Sequence, residues 1–324
     1  MLPAFAYARP TTLQQALDLV SQDKARVHAG GTDLLGCLRD GIFEATTLVS
    51  LSGVAELRGL SPTPEGGLTI GALTTIAELA AHPVVKERYG ALAQAAAVIA
   101  SPQLRNQGTL GGNLCQKPRC WYYRGEFHCV RKGGDTCYAY EGENEIHCLF
   151  GGNMCFVVHP SDTAPALIAL GATARIVGAA GTRLVPLEKL FVPAGDDPTR
   201  ETILGPAEIL AGVTLPPLAG GVRSSYRKIR ARASWDFALV SLALAIRLQD
   251  GVVRDARVVL GGVAATPWRA PAVESALANA TLDAATIAKA AEAAVQGAEP
   301  LAQNAYKVAM LRGVVTAELE AIRG

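Results

Sequence analysis

Apolar positions fall at helical spacing over residues 11–22 (TTLQQALDLVSQ), where Leu13, Ala16, Leu17 and Val20 share one face and Thr11 or Thr12 supplies an N-cap. Residues 25–29 read as a short strand running into Gly30-Gly31-Thr32-Asp33, and residues 47–51 as a second apolar strand. Together they predict a small βαβ-type unit with a Gly-rich turn where strand becomes helix. Farther along, residues 68–71 read as a strand, and Thr74 or Thr75 caps a helix through Ala80. Pro83 opens the next helix, and residues 91–100 form a buried, Ala-rich one. The stretch 101–114 (SPQLRNQGTLGGNL) is dense in glycine and polar residues, which predicts a loop whose backbone comes close to a ligand.

From Cys115 to Cys155 periodicity disappears, and aromatics, glycines and charges mix without helical or alternating order. So long a structureless stretch inside a compact domain is usually functional. Regular patterning resumes with a helix over 163–170 and strands over 173–177, 183–186 and 208–215. Pro216-Pro217 and the following Leu218-Ala219-Gly220-Gly221 mark a boundary between residues 1–217 and residues 218–324. The second part reads as a strand over 223–229, a helix over 238–247, strand structure over 252–263, and helices over 271–278, 284–293 and 304–322.

Composition narrows the function classes. The chain has 324 residues, half of them apolar and 18% charged, with a formal net charge of +1. That is an ordinary globular composition, and it offers no strong basic field for nucleic acid or an anionic membrane. No apolar run reaches transmembrane length. The N-terminus lacks the basic and apolar regions of an export signal, so the expected compartment is the cytoplasm, or the periplasm if a signal-bearing partner carries the chain there.

Five of the seven cysteines, Cys120, Cys129, Cys137, Cys148 and Cys155, crowd into one segment. An odd count, in a chain too large to need staples, favours a metal or cluster over disulfides. The paired glycines Gly30-Gly31 and Gly111-Gly112 permit close backbone approach, so their N–H groups suit a diphosphate. Neither loop is Gly-x-Gly-x-x-Gly, which disfavours a Rossmann dinucleotide site. Asp162 is placed either to accept from a ribityl or ribose hydroxyl or to cap the helix starting at Thr163.

The segments AGGTDLL (29–35), IGALTTIAEL (70–79), SPQLRNQGTLGGNL (101–114), HPSDTAPALIALGA (159–172), EILAGVTLP (208–216) and YRKIRARASWDFALV (226–240) span nearly the whole chain. In this order they resemble the FAD-binding medium subunit of the molybdenum hydroxylases, the xanthine dehydrogenase family. The resemblance implies an α+β chain with a two-lobed FAD-binding domain of the vanillyl-alcohol-oxidase type, its lobes at about 1–55 and 56–217, followed by a small α+β domain. By the same resemblance, Val27, His28, Ala29, Gly30, Gly31, Thr32, Asp33 and Leu34, with Thr109, Leu110, Gly111, Gly112 and Asn113, meet the FAD diphosphate and its neighbourhood. Asp162, Leu210 and Lys228 occupy further FAD-contact positions.

The cysteine segment departs from the plain xanthine dehydrogenase pattern. It is similar to the inserted [4Fe-4S] loop of periplasmic aldehyde oxidoreductases and, less closely, of 4-hydroxybenzoyl-CoA reductases. Their loops imply Cys120, Cys129, Cys137 and Cys155 as ligands, with Cys148 as the competitor for the fourth place. A four-cysteine zinc site is the alternative, although zinc favours more closely spaced thiol pairs. The function expected is an electron-transfer subunit without catalytic residues of its own. Its partners would be a large subunit carrying the molybdenum cofactor and a small subunit carrying [2Fe-2S] clusters, with electrons passing to an external acceptor. Reversed electron flow, as in the 4-hydroxybenzoyl-CoA reductases, and a stand-alone flavin oxidase with a structural zinc loop are the other readings.

Overall fold

The computed structural model describes residues 1–324. Its first element pair follows the patterning closely. Thr12 caps the helix Leu13–Val20 by accepting from the Gln15 N–H, and Leu13, Ala16, Leu17 and Val20 are its buried face. Strands Ala6–Ala8 and Ala25–His28 both pair in parallel with Thr47–Ser50, giving a three-stranded sheet. The helix Leu34–Arg39 connects the last two of these strands, which completes the expected βαβ unit.

A second sheet of five antiparallel strands runs in the order Leu60–Pro62, Leu68–Gly71, Ile209–Leu215, Thr173–Gly178, Gly181–Pro186. The helices Ile76–Ala81, Gly90–Ala97 and Thr163–Ala169 share its main apolar core. Thr75 and Glu78 form a reciprocal capping box at the first of them. Val177, Ile209 and Ala211 of the same sheet pack with Leu13, Leu17 and Val49, so the small parallel sheet and its helix lean on the larger one.

The third sheet is antiparallel, with Trp268–Arg269, Val252–Gly261, Val240–Gln249 and Val222–Ile229 as neighbours in that order. Helices Pro271–Leu277, Ala284–Ala293 and Tyr306–Arg323 cover one of its faces. Here the sequence reading needs correction: residues 238–247 are not a helix but most of the central strand Val240–Gln249. Val240, Leu242, Leu244 and Ile246 face the helical layer, while Ala243 and Ala245 join the core of the second lobe. A strand buried on both faces shows no polar alternation, and its Ala and Leu content mimics a helix.

A second correction concerns 101–114. It holds two short helices, Pro102–Gln107 capped by Ser101 and Leu110–Leu114 capped by Thr109, rather than an extended loop. Between Cys115 and Cys155 only the helix Trp121–Arg124 and a single turn, Val130–Lys132, are regular.

Candidate cofactor site

The two Gly-rich turns meet. A Cβ on Gly30 would collide with the Gln107 carbonyl oxygen, so this glycine lets the turns pack, and one on Gly111 would lie 2.9 Å from Ala72 Cβ, just past the strand Leu68–Gly71. Gly31 has a φ of +72°, a left-handed backbone that favours glycine. Gly112 differs from all three: a Cβ there would meet only Thr109 Oγ1, at 3.1 Å, and otherwise open space. Its N–H donates to that hydroxyl at 3.2 Å.

Between the turns lies a cavity of about 490 Å³. Val27, Ala29, Gly30, Gly31, Thr32, Asp33 and Leu34 line it from one side, with Thr109, Gly111, Gly112 and Leu210 from the others. The remaining predicted residues stand elsewhere. His28 turns away to meet the edge of Tyr7 at 5.8 Å, and Leu110 is fully buried in the main core. Asn113 is an internal tie, its Oδ1 accepting from the Ser161 and Thr163 hydroxyls at 2.6 Å each.

Asp162 and Lys228 form a second constellation, beside a cavity of about 300 Å³ that Asp162 lines together with Cys120, His147, Pro160 and Phe237. Lys228 Nζ donates to Asp162 Oδ2 at 2.7 Å, and Tyr226 Oη donates to Oδ1 at 2.5 Å. Lys228 and Tyr226 are two apart on one strand, so both point to the same face. Burial, reinforced by the Asp162 carboxylate, pushes the Tyr226 phenol well above its ordinary value, which keeps it a donor. Asp162 makes no side-chain cap to its helix; Ser161 Oγ accepts from the Ala164 N–H instead, at 3.0 Å. Lys228 is likewise no surface cation. Sequence reasoning passed over Tyr226, although its i, i+2 relation to Lys228 was the available signal.

The cysteines sort themselves by environment. Cys120, Cys129 and Cys155 share one apolar cluster with Ile42, Tyr123, Val130 and Val157, and Cys137 packs at its edge. A hydrogen bond from the Cys155 thiol holds the Cys137 thiol below its ordinary value, while the same interaction and burial push Cys155 well above its own. Burial raises Cys120 to about 11, against the N–H groups of Tyr123 and Tyr122.

Cys148 and Cys115 lie outside this cluster, and burial pushes each thiol up to about 12. Cys37 lies within it, but its sulfur faces Arg124 Nη1 at 2.9 Å. No three His, Cys, Asp or Glu side chains converge as a single metal ion requires. A cubane cluster does not ask that of its ligands, because each thiolate binds a different iron.

The two regions are bolted together through Asp33, a link the sequence does not announce. Its carboxylate accepts from Arg119 Nη1 at 2.6 Å, Arg124 Nη2 at 2.7 Å and the Lys117 N–H at 2.7 Å. Burial pushes the carboxyl up, but the two guanidiniums and the Lys117 N–H outweigh it and leave it below its ordinary value. Arg119 and Arg124 flank Cys120, so the Gly-rich turn holds the start of the cysteine segment. Glu201 holds it farther along, paired with Lys117 and, at 2.7 Å, with Arg131.

This fold, with a cavity walled by two Gly-rich turns, is suited to a phosphorylated cofactor. The FAD-binding domain of molybdopterin dehydrogenases matches residues 3–128 and 147–218, and the C-terminal domain of the CO dehydrogenase flavoprotein matches residues 224–321. The chain therefore belongs to the FAD-binding medium subunits of the molybdenum hydroxylases. The match to the first domain omits 129–146, the middle of the cysteine segment. Over 330 residues the chain is 38% identical to the aldehyde oxidoreductase FAD-binding subunit PaoB of Escherichia coli, covering 99% of both. It is 29% identical to the carbon monoxide dehydrogenase medium chain of Hydrogenophaga pseudoflava, over 98% of this chain and 97% of that one. The solved carbon monoxide dehydrogenase of that organism superposes with a TM-score of 0.79 at 26% identity, covering 100% of this chain and 99% of the other. Quinoline 2-oxidoreductase from Pseudomonas putida 86 gives 0.78 at 25%, covering 100% and 98%.

Proposed function

We propose that this chain is the FAD- and [4Fe-4S]-carrying electron-transfer subunit of a molybdenum-cofactor oxidoreductase of aldehyde or xanthine dehydrogenase type. It would work in a heterotrimer with a large molybdenum-cofactor subunit and a small [2Fe-2S] subunit, passing electrons from the latter to an external acceptor. The relation to an aldehyde oxidoreductase subunit supports aldehydes as the substrate class, oxidised in the partner. Within the chain we assign residues 1–217 to FAD binding, 115–155 to an iron–sulfur insertion and 218–324 to the C-terminal domain.

The observation that carries this reading is the gathering of Cys120, Cys129, Cys137 and Cys155 beside a cavity walled by both Gly-rich turns. N–H groups of the Gly31 and Gly112 turns would hold the diphosphate, with Thr32 adding a hydroxyl. Asp162 remains a buried acceptor, its charge balanced by Lys228 and its orientation fixed by Tyr226. The four thiolates would hold the cluster. When bound, the flavin exchanges electrons singly or in pairs and the cluster exchanges one at a time.

Expression with and without the two partner subunits tests the assignment. The complex should co-purify with stoichiometric flavin and oxidise aldehydes, and the chain alone should bind flavin without turning over substrate. Substrate turnover by the isolated chain would overturn it.

A further inference from the structure

His147 is 1% exposed and its backbone is pinned on every side. Its carbonyl accepts from Lys307 Nζ at 2.9 Å and Asn304 Nδ2 at 3.1 Å, and its N–H donates to Asn144 O at 3.0 Å. The indole of Trp121 meets the imidazole edge-on at 6.3 Å. Held this way, the ring puts Nε2 at 3.3 Å from Cys120 Sγ, while Nδ1 has no partner.

The tautomer follows from the neighbours. A thiolate only accepts, so the proton belongs on Nε2. A bare lone pair on Nδ1 is also less costly than a buried N–H without an acceptor. The same ring and Cys120 both line the cavity that Asp162 borders.

We propose that His147 is a positioning residue that donates Nε2–H to the Cys120 sulfur and so raises the reduction potential of the centre Cys120 ligates. The inference rests on the [4Fe-4S] reading above. Its physical basis is that reduction adds negative charge to a cluster, and a hydrogen bond to a ligand sulfur stabilises that charge. Lys307, Asn304 and Trp121 matter because they fix the ring before any electron arrives.

The test uses the assembled heterotrimer, as wild type, His147→Leu and His147→Gln, with iron analysis followed by an EPR-monitored redox titration. Iron should be unchanged, and the cluster midpoint of His147→Leu should fall by an amount equal to about tenfold in its reduction equilibrium, 59 mV for one electron. His147→Gln, which keeps an N–H donor, should lie between, with the flavin midpoint unmoved in both. If His147→Leu loses iron, the midpoint of His147→Gln decides: a value below wild type supports the inference. A wild-type midpoint in every iron-loaded variant overturns it, as does loss of iron from both, which would make His147 merely structural. A wild-type complex with no [4Fe-4S] signal would overturn the cluster reading first, and this inference with it.

Discussion

Asp162 and Lys228 illustrate how a single side chain divides between structure and site. Their side chains are 6% and 2% exposed, so each charge survives burial because the other is 2.7 Å away. Removing one partner strands the other. Lys228→Met should therefore destabilise the protein by about 3 kcal/mol, the cost of an orphaned buried charge. Adding Asp162→Asn removes that charge and keeps an acceptor for Tyr226, so the double variant should recover most of the loss. Urea unfolding of the wild type, both single variants and the double variant checks this; a double-variant loss equal to the sum of the two single losses would contradict it. The sequence placed Asp162 and Lys228 at the site through family motifs. It left open whether Asp162 capped a helix, because an aspartate before Thr163 satisfies either role. Only the third dimension shows Ser161 taking the cap. Asp33 was legible as a turn residue, but not as the tie to Arg119 and Arg124, since nothing in a linear pattern pairs residues so far apart.

Elements were legible where one face is wet. The helix Leu13–Val20 and its Thr12 cap stand as the periodicity requires, because its other face meets solvent. The strand Val240–Gln249 has no wet face along most of its length, so pairing with both neighbours decided its form against its own Ala and Leu preference. The helices Pro102–Gln107 and Leu110–Leu114 were hidden by glycine content, although Ser101-Pro102 and Thr109 are recognisable starts. The Gly-rich elements also separate packing from binding. Gly30 lets the turns touch, Gly111 lets its helix lie against Ala72 and Gly31 needs its positive φ, so bulk at any of them disturbs folding as well. Gly112 is the clean probe. Gly112→Val should leave unfolding by heat little changed, within about 1 kcal/mol for a β-branched residue in a short helix, yet purify without flavin. A flavin content equal to wild type would exclude this turn from the cofactor site.

On the scale of the whole molecule, the third sheet is not an appendage. Tyr226, Ala243, Ala245 and Val259 share one core with Leu92, Leu167 and Leu170 of the second lobe, so the sequence boundary at Pro216-Pro217 separates strands but not cores. The cysteine segment is the reverse case. It has little regular structure and a small apolar cluster of its own, and it is held by charged ties to Asp33 and Glu201 and by Asn304 and Lys307 of the C-terminal part. Such a segment has modest burial to set against its ordering entropy, and four bonds from thiolates to iron would anchor it. The most direct test is therefore metal and flavin analysis of the purified complex with serine at each clustered cysteine in turn. Cys120→Ser, Cys129→Ser, Cys137→Ser and Cys155→Ser should each lose about four irons while the partner's [2Fe-2S] clusters remain, and Cys148→Ser should lose none. Zinc in place of that iron, or a cluster that survives Cys155→Ser and vanishes with Cys148→Ser, would contradict the account.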